Sequence, residues 1–246
     1  MFEPIPVPVE APPRIQPADR LRALAEVVLC SGFPTQVVIL AVMGGFGMRL
    51  QTSSGGWSPL FVATLSMLDS VFVIGLVFLF LRAHGERARD ALLGERPVWP
   101  EVLVGVTLLP VVFLLALLVL AILITVAPQL HNVAHNPMQD LMQNPLDAAI
   151  FGIVVMIAGG VREEIQRGFI LHRFRRYLGG GAVGVVVHSA IFGLGHVDQG
   201  WDATLTVGTL GAIWGTIYLL RRSIIAPMVS HAGFNLAQLV KFMALR

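Results

Sequence analysis

Residues 102–126 read VLVGVTLLPVVFLLALLVLAILITV, and none of these 25 side chains can ionise. A helix needs about 20 consecutive apolar residues to cross the ~30 Å hydrocarbon layer of a bilayer. The stretch is long enough to span that layer without placing a charge in it. It therefore predicts a transmembrane helix.

The rest of the chain has the same apolar character. Hydrophobic residues make up 55% of its 246 positions and charged residues only 13%, whereas about 25% are charged in typical soluble domains. We expect an all-α fold, a polytopic membrane helical bundle of about seven to eight transmembrane helices embedded in the lipid bilayer. The apolar runs predict seven helices, at Leu21–Met48, Pro59–Leu81, Glu101–Ala127, Leu146–Leu171, Ala182–His196, Ala203–Leu220 and Ile224–Leu245.

The distribution of basic residues indicates how this bundle is oriented. With the amino terminus in the cytoplasm, Arg49, Lys241 and Arg246 fall outside, and Arg162 and Arg167 lie within a segment. The other twelve of the 17 basic residues fall inside, namely Arg14, Arg20, Arg22, Arg82, Arg87, Arg89, Arg96, Arg173, Arg175, Arg176, Arg221 and Arg222. Because cytoplasmic loops are enriched in Lys and Arg, we expect an integral protein of the bacterial cytoplasmic (inner) membrane with its amino terminus in the cytoplasm.

Three further features bound the organisation of the chain. A net charge of +2 is too small to indicate a nucleic-acid partner. The single cysteine, Cys30, excludes an internal disulfide and is expected to be a small buried side chain. Residues 1–18 are predicted to form a flexible Pro-rich tail without a cleavable signal, residues 19–128 the N-terminal transmembrane helices, and residues 146–246 the region that carries the candidate chemistry.

The fourth apolar segment places charges deep in the predicted membrane region. Its sequence GGVREEIQRGFILHRFRR, residues 159–176, brings Glu163, Glu164 and Arg167 after 17 mostly apolar residues. Ionisable groups at such depth are costly and usually functional. On a helix, Arg167 lies within reach of both carboxylates, at spacings of four and three residues. Arg167 can therefore hold one carboxylate and leave the other free.

Two later segments add histidines and an amide. The sequence FGLGH places Phe192 and His196 on one helical face, and SHAGFN places His231 and Asn235 four residues apart on another helix. Histidine can hold or pass a proton near neutral pH. An asparagine amide can stabilise a developing oxyanion without titrating. The sequence therefore predicts one interior site that collects these groups.

Four other polar residues are candidates for chemistry or for a supporting role. His188 precedes His196 by eight residues, and we expect it to support the site. Asp69 is a second intramembrane acid, and we expect it to bond a neighbouring helix. His131 and His135 could hold a metal, but two histidines in a polar loop are more often solvated.

A glutamate pair with a nearby arginine, then Phe-x-x-x-His, then His-x-x-x-Asn resembles the CPBP family of CAAX-type intramembrane proteases. The residues that carry this resemblance are Glu163, Glu164, Arg167, His196, His231 and Asn235. The resemblance implies an endopeptidase that cleaves a membrane-associated peptide or protein substrate and uses no cofactor. It further implies that Glu163 and His196 activate water, while His231 and Asn235 stabilise the oxyanion.

The first motif departs from the family pattern by one residue. The family has three residues between the glutamate pair and the arginine, whereas this chain has two. If Arg167 anchors the match, Glu163 takes the second glutamate position and Arg162 replaces the first. If the glutamate pair anchors it, Glu163 is the general base. We favour the second register, because an arginine cannot accept a proton from water.

Three alternatives remain open at the level of the sequence. Two carboxylates and two histidines could ligate zinc in an intramembrane metalloprotease, although no HExxH motif is present. A non-catalytic immunity or scaffold protein could keep the same fold. A small transporter could use the same polar groups to line a proton pathway.

Overall fold

The computed structural model of the protein describes residues 15–244, and most of these residues lie in helices. No β-strand occurs in that range, which confirms the all-α prediction. Residues 1–14 of the predicted tail, with Arg14, and residues 245–246, with the predicted helix end Leu245 and with Arg246, lie outside the described residues. The α-helices are α1 (Pro17–Leu29), α2 (Phe33–Gly45), α3 (Pro59–Ala83), α4 (Ala88–Leu92), α5 (Val98–Val126), α6 (Pro145–Val154), α7 (Glu163–Tyr177), α8 (Gly181–Leu194), α9 (Trp201–Arg221) and α10 (Ile225–Ala244).

The first predicted segment, Leu21–Met48, is two helices rather than one. Gly32 has φ of 88°, a left-handed conformation that a glycine adopts without steric cost, and the axes of α1 and α2 differ by 42°. The break exposes the carbonyl of Cys30, which accepts a hydrogen bond from Gln166 Nε2 at 2.7 Å. A buried side chain from the fourth segment therefore satisfies the backbone at this break.

The fourth segment is a continuous helical run from Pro145 to Tyr177, but its middle is not α-helical. Val155–Arg162 forms a π-helix that connects α6 to α7. π-helical turns insert an extra residue into a helix and are frequent at functional sites. The π-helix ends directly before Glu163, the first residue of α7. Its extra residue therefore sets the directions in which the side chains of Glu163 and Glu164 point.

Fewer helices meet the length and composition expected of a membrane span than the seven or eight predicted. Within residues 15–244, four do so: α3, α5, the run Pro145–Tyr177, and α9. The bent pair α1–α2 makes five if it crosses as one span. Helix α8 has only 14 residues, which is short of the ~20 that a span requires. The chain is nevertheless a polytopic helical bundle.

The bundle has two chemically different ends. At the first, which we call the arginine-rich end, Arg221 bonds both oxygens of Glu101 (2.6 and 2.8 Å), and Ile224 N donates to Leu92 O at 2.8 Å. At the second, the loop end, the connection between α5 and α6 folds over the helix ends. There His131 Nδ1 lies 2.7 Å from Asp202 Oδ2.

The α5–α6 connection at the loop end is held in place by contacts of its acidic and amide side chains. Asn132 Oδ1 accepts from Trp201 N at 3.0 Å. Asp140 accepts from Trp57 N at 3.1 Å and contacts His135 Nε2 at 2.8 Å, and these hydrogen bonds lower the pKa of Asp140. His131 and His135 keep 54% and 60% of their side-chain surface exposed, as expected of solvated histidines, and each also contacts a carboxylate.

Candidate active site

A buried glutamate, arginine and histidine form the centre of the site. Glu164 Oε1 accepts from Arg167 and lies 2.7 Å from His231 Nδ1. All three residues are at most 4% exposed. The pairing of Glu164 with Arg167 joins positions three residues apart on α7, while His231 comes from α10. Arg167 thus holds one member of the glutamate pair and leaves the other free, as its spacing predicted.

Glu163 is the free carboxylate of the pair. Its Oε2 lies 3.7 Å from His231 Nε2, and its Oε1 lies 3.9 Å from Arg162 Nη1. Both distances are too long for direct hydrogen bonds. The Glu163 side chain keeps 19% of its surface exposed and lines a cavity, whereas that of Glu164 keeps 1%. Only Glu163 therefore presents an oxygen toward a space that can hold water.

Aromatic rings fix the orientation of His231. Its ring stacks on Trp214 with centroids 3.9 Å apart, and Trp214 Nε1 donates to Ser230 Oγ at 3.3 Å. The guanidinium of Arg167 lies 4.8 Å from the centroid of Phe192 and 5.6 Å from that of Trp214, within the range of cation–π attraction. Trp214 was not among the residues predicted from sequence, because an aromatic residue in an apolar helix carries no motif.

His196 lies beyond the helix on which it was predicted. Helix α8 ends at Leu194, so His196 lies in the turn that follows it, but its ring still contacts that of Phe192, with centroids 5.1 Å apart. His196 Nδ1 lies 2.9 Å from the carbonyl oxygen of Phe192. Because a carbonyl only accepts, Nδ1 carries a proton, which leaves Nε2 as the ring nitrogen that can accept a hydrogen bond. His196 lines the same cavity as Glu163.

Asn235 and a glycine of the π-helix meet at close range. Asn235 lines the cavity one turn beyond His231 on α10, and a side chain in place of Gly159 would collide with its amide nitrogen. Similarly, a Cβ at Gly160 would lie 2.7 Å from the Cβ of Ala232. The two glycines therefore allow α10 to approach the π-helix closely enough to place the amide in the site.

An ion pair between Asp69 and Arg162 lies beside the site, and the sequence predicted only that Asp69 bonds a neighbouring helix. Asp69 bonds a neighbouring helix as expected, accepting from Thr35 and from Gln36 at 3.3 Å. It also accepts a hydrogen bond from Arg162, the residue that one register placed at a catalytic position. Arg162 is 8% exposed and bonded away from the cavity centre. His188 is also buried, and its Nδ1 has no hydrogen-bond partner among the described residues.

The cavity has a volume of about 510 Å³ and holds four of the six predicted site residues. Glu163, His196, His231 and Asn235 line it, while Glu164 and Arg167 support them from behind. A second cavity of about 170 Å³ also touches Glu163 and His196. Among residues 15–244, no group of three or more His, Cys, Asp or Glu side chains is arranged to hold a metal ion.

These features define a polytopic membrane protein with an interior site of carboxylate, imidazole and amide groups. Residues 145–237 match the family model described as type II CAAX prenyl endopeptidase Rce1-like. The match confirms the resemblance of residues 145–237 to the CPBP family. Searches of curated proteins and of solved structures gave no match.

Proposed function

We propose that the protein is an intramembrane endopeptidase in which Glu163 and His196 activate water to cleave a membrane-associated peptide or protein. The observation that carries this proposal is the presence of Glu163, His196, His231 and Asn235 around one cavity, with only Glu163 of the two glutamates facing it. The family match to residues 145–237 supports it, since that family is generally one of proteases.

The first chemical step is removal of a proton from water. Glu163 takes the proton, and the accepting Nε2 of His196 orients the same water toward the substrate carbonyl. General-base catalysis of this kind typically contributes about 10²- to 10⁴-fold. The guanidinium of Arg167 bonds Glu164 and not Glu163. The oxygens of Glu163 therefore remain available to accept a proton from water.

The second step stabilises the negative charge on the carbonyl oxygen. The amide of Asn235 donates one hydrogen bond, and His231 donates another from Nε2. Since His231 Nδ1 lies 2.7 Å from the Glu164 carboxylate, both ring nitrogens must carry protons when Nε2 donates. Glu164 then balances the charge of the imidazolium, which gives the second glutamate a role distinct from that of the first.

The proposal is tested by comparing the membrane proteomes of cells that carry the wild-type protein or Glu163→Gln. Glu95→Gln is the matched control, because it makes the same chemical change on an exposed residue outside the helices. Precursors should accumulate with Glu163→Gln and not with Glu95→Gln. If neither variant changes any precursor, the alternative of a non-catalytic immunity or scaffold protein replaces the proposal.

Zinc dependence is the remaining mechanistic alternative. The proposed mechanism uses no cofactor, so purified protein in detergent should keep its activity after chelation and contain no stoichiometric zinc. Loss of activity on chelation, restored by Zn²⁺, would move the enzyme to the metal-assisted class. Zinc content is measured on the same preparation by elemental analysis.

A further inference from the structure

The larger cavity extends from the site toward one end of the bundle only. Its deepest lining includes Glu163 and His231, and its outer lining comes from the loop end: Asn136 of the α5–α6 connection, Gln199 before α9, and Lys241 near the end of α10. From His231 to Lys241 is ten residues of helix, or about 15 Å at ~1.5 Å per residue. The site is therefore connected to the loop end over that depth.

The arginine-rich end is closed by packing and hydrogen bonds. Phe169, Leu171 and Leu92 are buried in one apolar cluster there. Tyr218 donates to Ala91 O at 2.6 Å, and Arg173 is completely buried between carboxylates. No residue of this closure lines the larger cavity. A substrate approaching from that end would have to displace this buried cluster or pass through the second cavity, whose volume of about 170 Å³ is one third of that of the larger one.

The chemistry of the cavity favours an uncharged, apolar occupant. Its walls include Leu117, Leu120 and Phe151, and its volume lies within the 300–1,000 Å³ usual for ligand sites. The acid at its mouth, Asp202, is already paired with His131. This volume and lining suit a short, extended apolar stretch of polypeptide, held between the polar groups at the inner end and those at the mouth.

We propose that the substrate enters from the loop end, and that it is an apolar segment of an exported or membrane-anchored polypeptide exposed on the extracytoplasmic side. The side follows from the basic residues: the arginine-rich end carries Arg82, Arg173 and Arg221, whereas the α5–α6 connection carries no Lys or Arg. This inference rests on the proposed function for the identity of the substrate, but the direction of access is tested without any cleavage.

Single cysteines in a Cys30→Ala background test the direction. Gln238→Cys places a thiol in the cavity, and Ala134→Cys places one at the loop end. Val240→Cys is the matched control, because Val240 is 57% exposed on the lipid-facing side of α10. A charged, membrane-impermeant thiol reagent is added to intact spheroplasts or to inside-out vesicles. Labelling after denaturation shows that each thiol is present.

Gln238→Cys and Ala134→Cys should react in spheroplasts and not in inside-out vesicles, while Val240→Cys reacts in neither. Reaction of Gln238→Cys only from the vesicle side, as a cytoplasmic lipidated substrate would require, overturns the proposal. The proposal is also overturned if Gln238→Cys reacts neither in spheroplasts nor in inside-out vesicles, or if Ala134→Cys reacts from the cytoplasmic side. A failure of proteolysis appears separately, as unchanged precursors in cells with Glu163→Gln.

Discussion

At the arginine-rich end Arg173 is fully buried and bonds Glu26 at 2.6 Å and Glu86 at 2.5 Å, whereas at the inner end of the cavity Glu163 has no hydrogen-bond partner within reach. Both regions hold buried charge in an apolar bundle. At the arginine-rich end, the buried charge of Arg173 is paired with the opposite charges of Glu26 and Glu86, so this network stabilises the fold. In the second, one carboxylate is left toward a cavity, so it is available for chemistry.

The largest expected effect separates the two adjacent glutamates. Glu163→Gln keeps the shape of the side chain but cannot take a proton from water, so it should lower the cleavage rate by about 10²- to 10⁴-fold. Glu164→Gln should keep measurable activity, because Glu164 acts through His231 and Arg167. Cleavage of an accumulated precursor by the purified variants measures both. Loss of activity in Glu164→Gln with full activity in Glu163→Gln would exchange their roles.

A smaller loss is expected when one donor to the oxyanion is removed. Asn235→Ala should slow turnover by about 10²- to 10³-fold without unfolding the protein. Gln238→Ala is the control, since Gln238 lines the same cavity one turn further out on α10. Steady-state kinetics should place the loss from Asn235→Ala in kcat. An effect confined to KM would assign Asn235 to substrate binding instead.

At the arginine-rich end the expected effect is on stability and not on chemistry. Arg173→Gln leaves Glu26 and Glu86 without their shared partner, and breaking a buried ion pair costs about 3–5 kcal/mol of unfolding free energy. Arg175→Gln is the control, because Arg175 is exposed on the same helix. Denaturation in detergent measures the difference. The comparison between the two regions fails if Arg173→Gln is as stable as Arg175→Gln.

The smallest effect concerns the pH dependence of this network. Burial of Glu86 raises its pKa, but the His172 imidazole 3.4 Å away and the hydrogen bond from Arg173 outweigh burial and lower the pKa from 4.5 to about 2. A carboxylate with a lowered pKa stabilises the fold above its unfolded value and loses that contribution as the pH falls. Glu86→Gln should therefore be less stable than wild type at neutral pH.

The stability difference should narrow as the pH falls from 4.5 toward 2, because both proteins then carry a neutral group at position 86. Thermal unfolding in detergent over this pH range follows the difference. A gap that stays constant to the lowest pH would show that the carboxylate stabilises the fold by shape and not by charge.

The sequence predicted the helical class and the pairing of Arg167 with a glutamate, because both depend on local spacing along one helix. It did not predict the contact between Asp69 and Arg162, because these residues are 93 positions apart and no local spacing relates them. It also missed the π-helix before Glu163 and the break at Gly32, since apolar residues fill both regions and periodicity alone does not distinguish a π-turn from an α-turn. The predicted fifth segment ended at His196, two residues beyond the end of α8, although His196 contacts Phe192 as its spacing predicts.

The central claim is that water activated by Glu163 hydrolyses a peptide bond, and it is tested most directly by cleavage of an accumulated precursor in heavy-oxygen water. Mass spectrometry of the products from wild-type protein should show the heavy oxygen in the new carboxyl terminus, and Glu163→Gln should form little product. Equal cleavage by the wild type and Glu163→Gln, or a product that contains no solvent oxygen, would contradict the account.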